Sequence, residues 1–275
     1  MNKKIVVVVV VVLAVGAFLL YRAKQRDANN GRILVSGNIE ATEVALGFNV
    51  AGTVEKRFAD EGAQVRQGDI IALLDSNELV QVVAQAEAAC EVAKAEAGRA
   101  RLEFARQRDL LEKKVISARE FEIADAARAV TEANVKQAEA SAALARTRLA
   151  YATLRTPVKG VVLSKSIEPG EHVVPGTPVV SVADLSTVWL RAYIAETELG
   201  RVKLGGAVRV TTDTYPGRIY EGQVAFISSQ AEFTPKSVQT PKERVKLVYR
   251  IKVDLRNPDQ ELKPGMPADA EILAK

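Results

Sequence analysis

Cysteine and histidine are nearly missing from this chain, with one of each in 275 residues. A single cysteine, Cys90, excludes an intramolecular disulfide and any thiolate-rich metal site. A single histidine leaves zinc chemistry and a Ser-His-Asp triad almost nothing to work with, and His172 falls in an expected turn, where it reads as a solvated loop residue. The net charge of +4 is too small to indicate a nucleic-acid binder. No nucleotide-binding loop or other phosphate cradle is present. Paired carboxylates for acid–base work are equally hard to find. Glu40 and Glu43 flank a strand entry, Glu196 and Glu198 precede a short turn, and all four read as solvated. No catalytic residue, cofactor or metal is expected. What remains is ordinary in bulk, with 48% hydrophobic and 26% charged residues, and the length suits two or three small domains.

Against that background one short pattern occurs twice. Gly52, Val54, Gly62, Val65, Gly68 and Ile71 recur at a constant offset as Gly160, Val162, Gly170, Val173, Gly176 and Val179. Such self-similarity marks a structural unit used more than once. The glycines supply turns and the alternating Val and Ile supply short strands, so each copy reads as half of a small β-sandwich. One strand-rich domain, split by an insertion, is the expectation.

The insertion is helical. Between Ser76 and Ala152 there is no proline, a single glycine (Gly98) and much alanine, a strong helix-forming composition. Asp75-Ser76-Asn77-Glu78 offers N-cap chemistry, and Ser117-Ala118-Arg119-Glu120 is a capping box in the middle. A turn is therefore expected from Lys113 to Ile116, between two antiparallel helices of about 35 residues, each about 50 Å long. The expected seam of the first helix is Leu79, Val83, Ala86, Cys90, Ala93, Ala97, Ala100, Phe104, Gln107 and Leu111. That of the second is Ile123, Ala126, Val130, Ala133, Gln137, Ala140, Leu144, Thr147, Tyr151 and Leu154. Both follow the 3.5-residue repeat of a coiled coil. Twelve acidic and twelve basic side chains from Glu78 to Arg148 leave the outer faces without a strong field.

The two ends complete the plan. Ile5 to Tyr21 is an unbroken apolar run behind Lys3-Lys4 and ahead of Arg22, Lys24 and Arg26. In a helix it spans about 25 Å, the short end of what crosses a bilayer. An uncleaved anchor is favoured over a signal peptide, because Ala17 to Leu20 continue past the weak Ala14-Val15-Gly16 site. After Asp184 the pattern turns to strands: Val188 to Ile194, Ala207 to Thr212, Gly222 to Ile227, and a final one after Pro264-Gly265-Met266-Pro267. Leu247, Tyr249, Ile251, Val253 and Leu255 alternate with polar or smaller residues, and together these strands imply a small closed barrel. A long loop between Ser228 and Lys246 contains Pro235 and Pro241, which keep it from continuing the ladder.

The repeated half-motif resembles the biotinyl/lipoyl fold, and its split form is similar to the HlyD-type membrane-fusion proteins, or periplasmic adaptors, over Gly37 to Lys275. The resemblance extends to Val188-Trp189-Leu190-Arg191-Ala192-Tyr193 and Gly265-Met266-Pro267. It implies an α+β architecture: a lipoyl-like β-sandwich split by a long α-helical coiled-coil hairpin, then a small antiparallel β-barrel, behind an N-terminal transmembrane helix. The corresponding divisions are 1–30 (anchor and linker), 31–75 and 154–185 (the two lipoyl halves), 76–153 (hairpin) and 186–275 (barrel), with the strand Arg32 to Ile39 available to join the end. Arg106, Leu110 and Ser117 form R-x3-L-x6-S across the hairpin turn, which looks like the signature by which adaptors engage a TolC-like outer-membrane channel. The loop carrying Phe233, Lys236, Lys242 and Arg244 looks like a transporter-contacting loop of adaptors that serve ABC transporters.

The resemblance thus implies an adaptor in a tripartite efflux or secretion system of a Gram-negative bacterium. It would be anchored in the inner membrane, lie in the periplasm and assemble as a ring, commonly a hexamer, with a transporter favoured to be ABC-type because no large membrane-proximal extension follows the barrel. Two alternatives stand beside it. A biotinyl/lipoyl carrier needs a modified lysine at the turn joining the two halves, where some seventy-five residues of hairpin stand instead. A cell-envelope coiled-coil protein accounts for the rod and leaves the tip pattern unexplained.

Overall fold

The computed structural model describes residues 32–233 and 247–273. Among them no helix is long and apolar enough to cross a membrane; the expected anchor over 1–30 lies outside the described residues. Two compact units divide the chain, one from 43–183 and one from 32–42 with 184–273.

In the first unit the two repeats interlock. The first half supplies β2 (Gly52–Arg57), β3 (Gln64–Val65) and β4 (Ile70–Leu74). The second supplies β5 (Thr153–Arg155), β6 (Gly160–Lys165), β7 (His172–Val173) and the start of β8 (Pro178–Ala195). Pairing crosses between halves: β2 with β7, β3 with β6 and β4 with β5. Neither half can complete its ladders alone. Phe48, Val54, Ile71, Leu74, Val162, Val173, Val179 and Val182 fill the core between them. His172, expected in a turn, lies in β7, where it pairs with Thr53 and stays exposed.

Four charges bind the halves at the surface, at positions related by the offset of the repeat. Arg57 pairs with Asp60 at 2.9 Å and with Glu168 at 3.0 Å, while Lys165 pairs with Glu168 at 2.7 Å and with Asp60 at 3.6 Å. The Arg57 side chain is only 8% exposed. Burial works against its charge, but the hydrogen bonds to Glu168 and Asp60 outweigh it and leave its pKa raised.

The inserted hairpin consists of α1 (Asn77–Glu112) and α2 (Ala118–Ala150). At its base Asp75 Oδ1, one residue before the N-cap position of Ser76, accepts from the Asn77 amide at 3.0 Å. On α1 the inward positions run Leu79, Val83, Ala86, Cys90, Ala93, Ala97, Ala100, Phe104, Gln107 and Leu111, each buried or half-buried. On α2 the expected seam is two residues out of phase. The inward positions are Phe121, Ala124, Arg128, Thr131, Val135, Ala138, Ala142, Ala145 and Leu149, whereas Ile123, Val130, Leu144 and Tyr151 are exposed. Phe104 fixes the phase. It meets Phe121 with ring centroids 5.3 Å apart, and Arg128 stacks over it at 4.7 Å. Arg101–Glu132 at 2.9 Å and Arg146–Glu87 at 2.6 Å bridge the helices on their flanks.

In the second unit β1 (Arg32–Gly47) pairs along Arg32–Asn38 with β12 (Pro267–Leu273). The order continues through β9 (Ala207–Thr211), β10 (Tyr220–Phe233), β11 (Leu247–Arg256) and β8, and β1 pairs with β8 to close the barrel. Gly37 permits that closure, because a Cβ there would lie 2.0 Å from the Arg191 carbonyl oxygen. The short α3 (Glu196–Leu199) follows β8. Ile33, Ile39, Leu190, Ile194, Ile251, Val253 and Ile272 lie inside.

Two readings change here. The alternation of β11 holds for Ile251, Val253 and Leu255, but Val248 is buried in place of Leu247 and Tyr249, beside the irregular stretch of β10 between Ile227 and Ala231. Glu40 is not a free surface carboxylate: it accepts from Trp189 Nε1 at 3.0 Å and pairs with Arg191 at 2.9 Å.

Candidate functional site

The hairpin tip is built by two caps set back to back. α1 ends in a Schellman motif, with the Val115 amide donating to the Leu110 carbonyl at 2.9 Å and the Lys114 amide to Leu111 at 2.8 Å. The position that usually holds glycine holds Lys114, at φ 59°. Two residues after Val115 stands Ser117, the N-cap of α2. The Ser117 amide donates to Glu120 Oε2 at 2.8 Å, the Ser117 hydroxyl donates to the same oxygen at 2.9 Å, and the Glu120 amide approaches Ser117 Oγ at 3.4 Å. Hydrogen bonds from the Ser117 backbone and then its side chain hold the Glu120 carboxyl below its ordinary range. The capping box expected from S-x-x-E is present. Such caps tie down the polar backbone ends of both helices, so the turn has a fixed shape.

Arg106 and Leu110 sit four residues apart and therefore share a face of the last turns of α1. The Arg106 guanidinium is exposed and bonds Glu103 at 2.7 Å, and Gln107 bonds the other oxygen of the same carboxylate at 2.7 Å. Leu110 is half-buried. Ser117 stands at the N-cap of α2, and its hydroxyl is committed to Glu120. Val115 was missed in the sequence: it projects from the turn with 66% of its surface exposed. The available signal was an apolar residue directly after Lys113-Lys114, in a turn where polar residues are usual. Chemically, the tip offers a cation held by one carboxylate, a leucine edge and a protruding valine. These groups are of a kind suited to contact with another surface.

Of the loop residues expected to meet a transporter, Phe233 ends β10 and pairs with Leu247 across the hairpin. Lys236, Lys242 and Arg244 lie outside the described residues. Among the described residues no cluster of three or more histidine, cysteine or carboxylate side chains is placed to hold a metal ion.

Comparison with known proteins agrees with this architecture. Residues 39–184 match the CzcB-like barrel-sandwich hybrid domain, and residues 187–275 match the CusB-like beta-barrel domain. A UPF0194 membrane protein of Yersinia pseudotuberculosis is 32% identical, over 97% of this chain and 98% of its own length. Among solved structures, MacA from Actinobacillus actinomycetemcomitans superposes with a TM-score of 0.74 at 24% identity, covering 89% of this chain and 79% of MacA. The membrane fusion protein Spr0693 from Streptococcus pneumoniae R6 gives 0.69 at 19% identity, covering 88% and 99%. A lipoyl-like sandwich interrupted by a helical hairpin, followed by a closed β-barrel, with both domains matched in order along the chain, places this protein in the membrane-fusion, or periplasmic adaptor, family.

Proposed function

We propose that this chain is the periplasmic adaptor of a tripartite export system. It links an inner-membrane transporter, of the ABC class, to a TolC-like outer-membrane channel and works as a ring, a hexamer in the simplest case. Its role is geometric, and energy enters through the transporter. The observation that carries the reading is the hairpin tip. Two caps rigidify a turn that presents Arg106, Leu110 and Val115, at the end of paired helices 36 and 33 residues long. A rigid, mostly solvated rod with a pre-formed cationic and apolar end suits contact with a fixed partner, because little ordering entropy is lost on docking. Arg106 has guanidinium donors for carbonyl or carboxylate groups of the channel, Leu110 and Val115 supply apolar contact, and Ser117 holds the turn.

The ABC assignment rests on the composition of the loop beyond Phe233, with Lys236, Lys242 and Arg244 as the contacts. The apolar run from Ile5 to Tyr21 serves as the inner-membrane anchor in this reading, and the periplasmic position of the remaining residues follows the adaptor family. Charge reversal tests the tip. Arg106→Glu and Leu110→Glu are expected to abolish export in cells at unchanged protein level, while Ala143→Glu on the shaft leaves it intact. Retained export in both tip variants would overturn the proposal.

A further inference from the structure

The strand register brings both ends of the barrel sequence to one rim. Arg32, the first residue of β1, stands opposite Leu273, the last of β12, and Ile272 stands opposite Val208 near the start of β9. Because neighbouring strands are antiparallel, β10 ends and β11 begins at the same rim, where Phe233 pairs with Leu247. β8 ends there too, with Ala195 opposite Val248. The connection from β8 to β9 therefore crosses this rim, and it carries α3 and the exposed Lys203 and Leu204.

Leu34 is 73% exposed, Leu204 67%, and Leu247 and Leu273 38% each. A single exposed apolar residue is ordinary on a protein surface; four large ones around one barrel end call for a partner. They stand on β1, on the connection after α3, on β11 and on β12, so they are spread around the rim and do not gather on one side. Leu34 projects two residues in from Arg32, about 7 Å along the strand. The opposite end of the barrel differs in kind. Its turns carry Arg218 paired with Asp259 and Glu261, and among the described residues Ile219 is the one large exposed apolar side chain there.

Apolar side chains spaced around a rim fit a plane better than they fit a protein groove, and the sequence says which plane lies near. Ten residues separate Tyr21, the end of the apolar run, from Arg32. A flexible chain of that length spans about 20 Å, less than the roughly 33 Å of a ten-residue strand such as β11. With the run anchored in the inner membrane, the rim that holds Arg32 is the end facing the bilayer. Arg22, Lys24 and Arg26 precede it, against the one carboxylate of Asp27, a charge balance that favours anionic head groups. Glu196 and Glu198 of α3 oppose that attraction at the same rim, so the leucines carry the contact.

We propose that this rim is a lipid-contacting edge. Leu34, Leu204, Leu247 and Leu273 enter the interfacial layer of the bilayer, and Lys203 meets the phosphates of anionic head groups. The depth of Leu34 suits the roughly 5–10 Å to which interfacial apolar groups sink. This inference rests on the reading of Ile5 to Tyr21 as an anchor, and it adds a second membrane contact that holds the barrel against the surface.

Fluorescence of the full-length chain, reconstituted without partners in vesicles of phosphatidylethanolamine and phosphatidylglycerol, tests this in a Cys90→Ala background. Leu34→Cys and Leu204→Cys, each carrying an environment-sensitive dye, are expected to shift to the blue and to be quenched by lipids spin-labelled near the head group. Ile219→Cys, at the far end of the barrel, is expected to show neither effect. Exchanging phosphatidylglycerol for phosphatidylcholine should weaken quenching at Leu204→Cys, and equal quenching there would overturn the role of Lys203. Absence of quenching at both rim positions, or equal quenching at Ile219→Cys, would overturn the lipid edge. An unquenched rim that captures a transporter from a photoreactive residue at Leu204 in cells would assign it to a protein partner instead. Flotation of the same vesicles reports separately on the anchor: a chain that floats with an unquenched rim keeps the anchor and loses this edge, and one that does not float loses both.

Discussion

The Gly62 amide donates to the Val162 carbonyl at 2.9 Å, and the same bond recurs at the equivalent place in the other repeat, where Gly170 donates to Val54 at 2.8 Å. The neighbouring bonds repeat as well: Val162 to Ala63 at 3.0 Å and Val54 to Glu171 at 2.9 Å. Each repeat thus closes the other across a local two-fold relation, although a long hairpin separates them in sequence. Both glycines adopt positive φ, 80° and 94°.

From this symmetry, Gly62→Ala and Gly170→Ala are expected to destabilise the protein by similar amounts, each about 1–2 kcal/mol, the cost of a left-handed conformation for a residue with a Cβ. Nothing lies within 4 Å of either added methyl, so backbone strain alone sets the effect. Urea unfolding of the two variants checks it. A large cost at one position and none at the other would show that the halves do not bear the closure equally.

Acid should loosen the same junction. The Asp60 carboxyl is held below its ordinary range chiefly by the hydrogen bond from Arg57, and the Glu168 carboxyl by those from Lys165 and then Arg57. A carboxylate with a lowered folded pKa contributes stability that is present above its unfolded value, about 4. That contribution is lost as pH falls through the folded value. Urea midpoints are expected to hold from pH 7 to about 5 and to fall below that, with a shallower fall in Asp60→Asn/Glu168→Gln. An equally steep fall in the double variant would assign the acid sensitivity elsewhere.

The repeats, the hairpin and its capping box were legible because each depends on residues close in sequence: glycines at turns, a proline-free alanine-rich stretch, and Ser117 three residues before Glu120. The phase of α2 was not. Its inward face carries Phe121, Val135 and Leu149 beside Arg128, Thr131 and alanines, while its outer face carries Ile123, Val130 and Leu144 beside Gln137, Thr147 and alanines, so composition alone does not choose between the two stripes. Only the partner helix decides between them, through Phe104 with Phe121 and Arg128. The Arg57–Glu168 and Glu40–Trp189 contacts were invisible for a simpler reason: their members are far apart in the chain, and no local pattern links them.

Ser117 offers a test of cap against contact. Ser117→Ala removes the side-chain cap and is expected to cost about 1 kcal/mol, read by urea unfolding and by faster amide exchange in the first turn of α2. Ser117→Asn keeps a neutral N-cap acceptor, with an amide in place of the hydroxyl as donor to Glu120, and should restore both stability and export. Restored stability without export would mean that the hydroxyl itself meets the channel.

Tyr220 is expected to titrate late. Burial, followed by its hydrogen bond to Glu261 at 2.8 Å, raises the phenol to about 12. The stabilisation from its raised pKa is complete below the free phenol value of about 10 and is lost as pH rises through the folded value. Ultraviolet titration should show one tyrosinate appearing near the top of the range, with that step absent from Tyr220→Phe. An unchanged titration in the variant would remove the assignment.

The central claim, that the hairpin tip docks on an outer-membrane channel, is tested most directly by photo-crosslinking in living cells. A photoreactive residue at Leu110 is compared with one at Ala143 on the shaft, and the adducts are identified by mass spectrometry. Capture of a TolC-like channel from the tip and not from the shaft is the predicted result. Adducts at Leu110 consisting only of other copies of this chain would contradict it and leave the rod as a device for self-association.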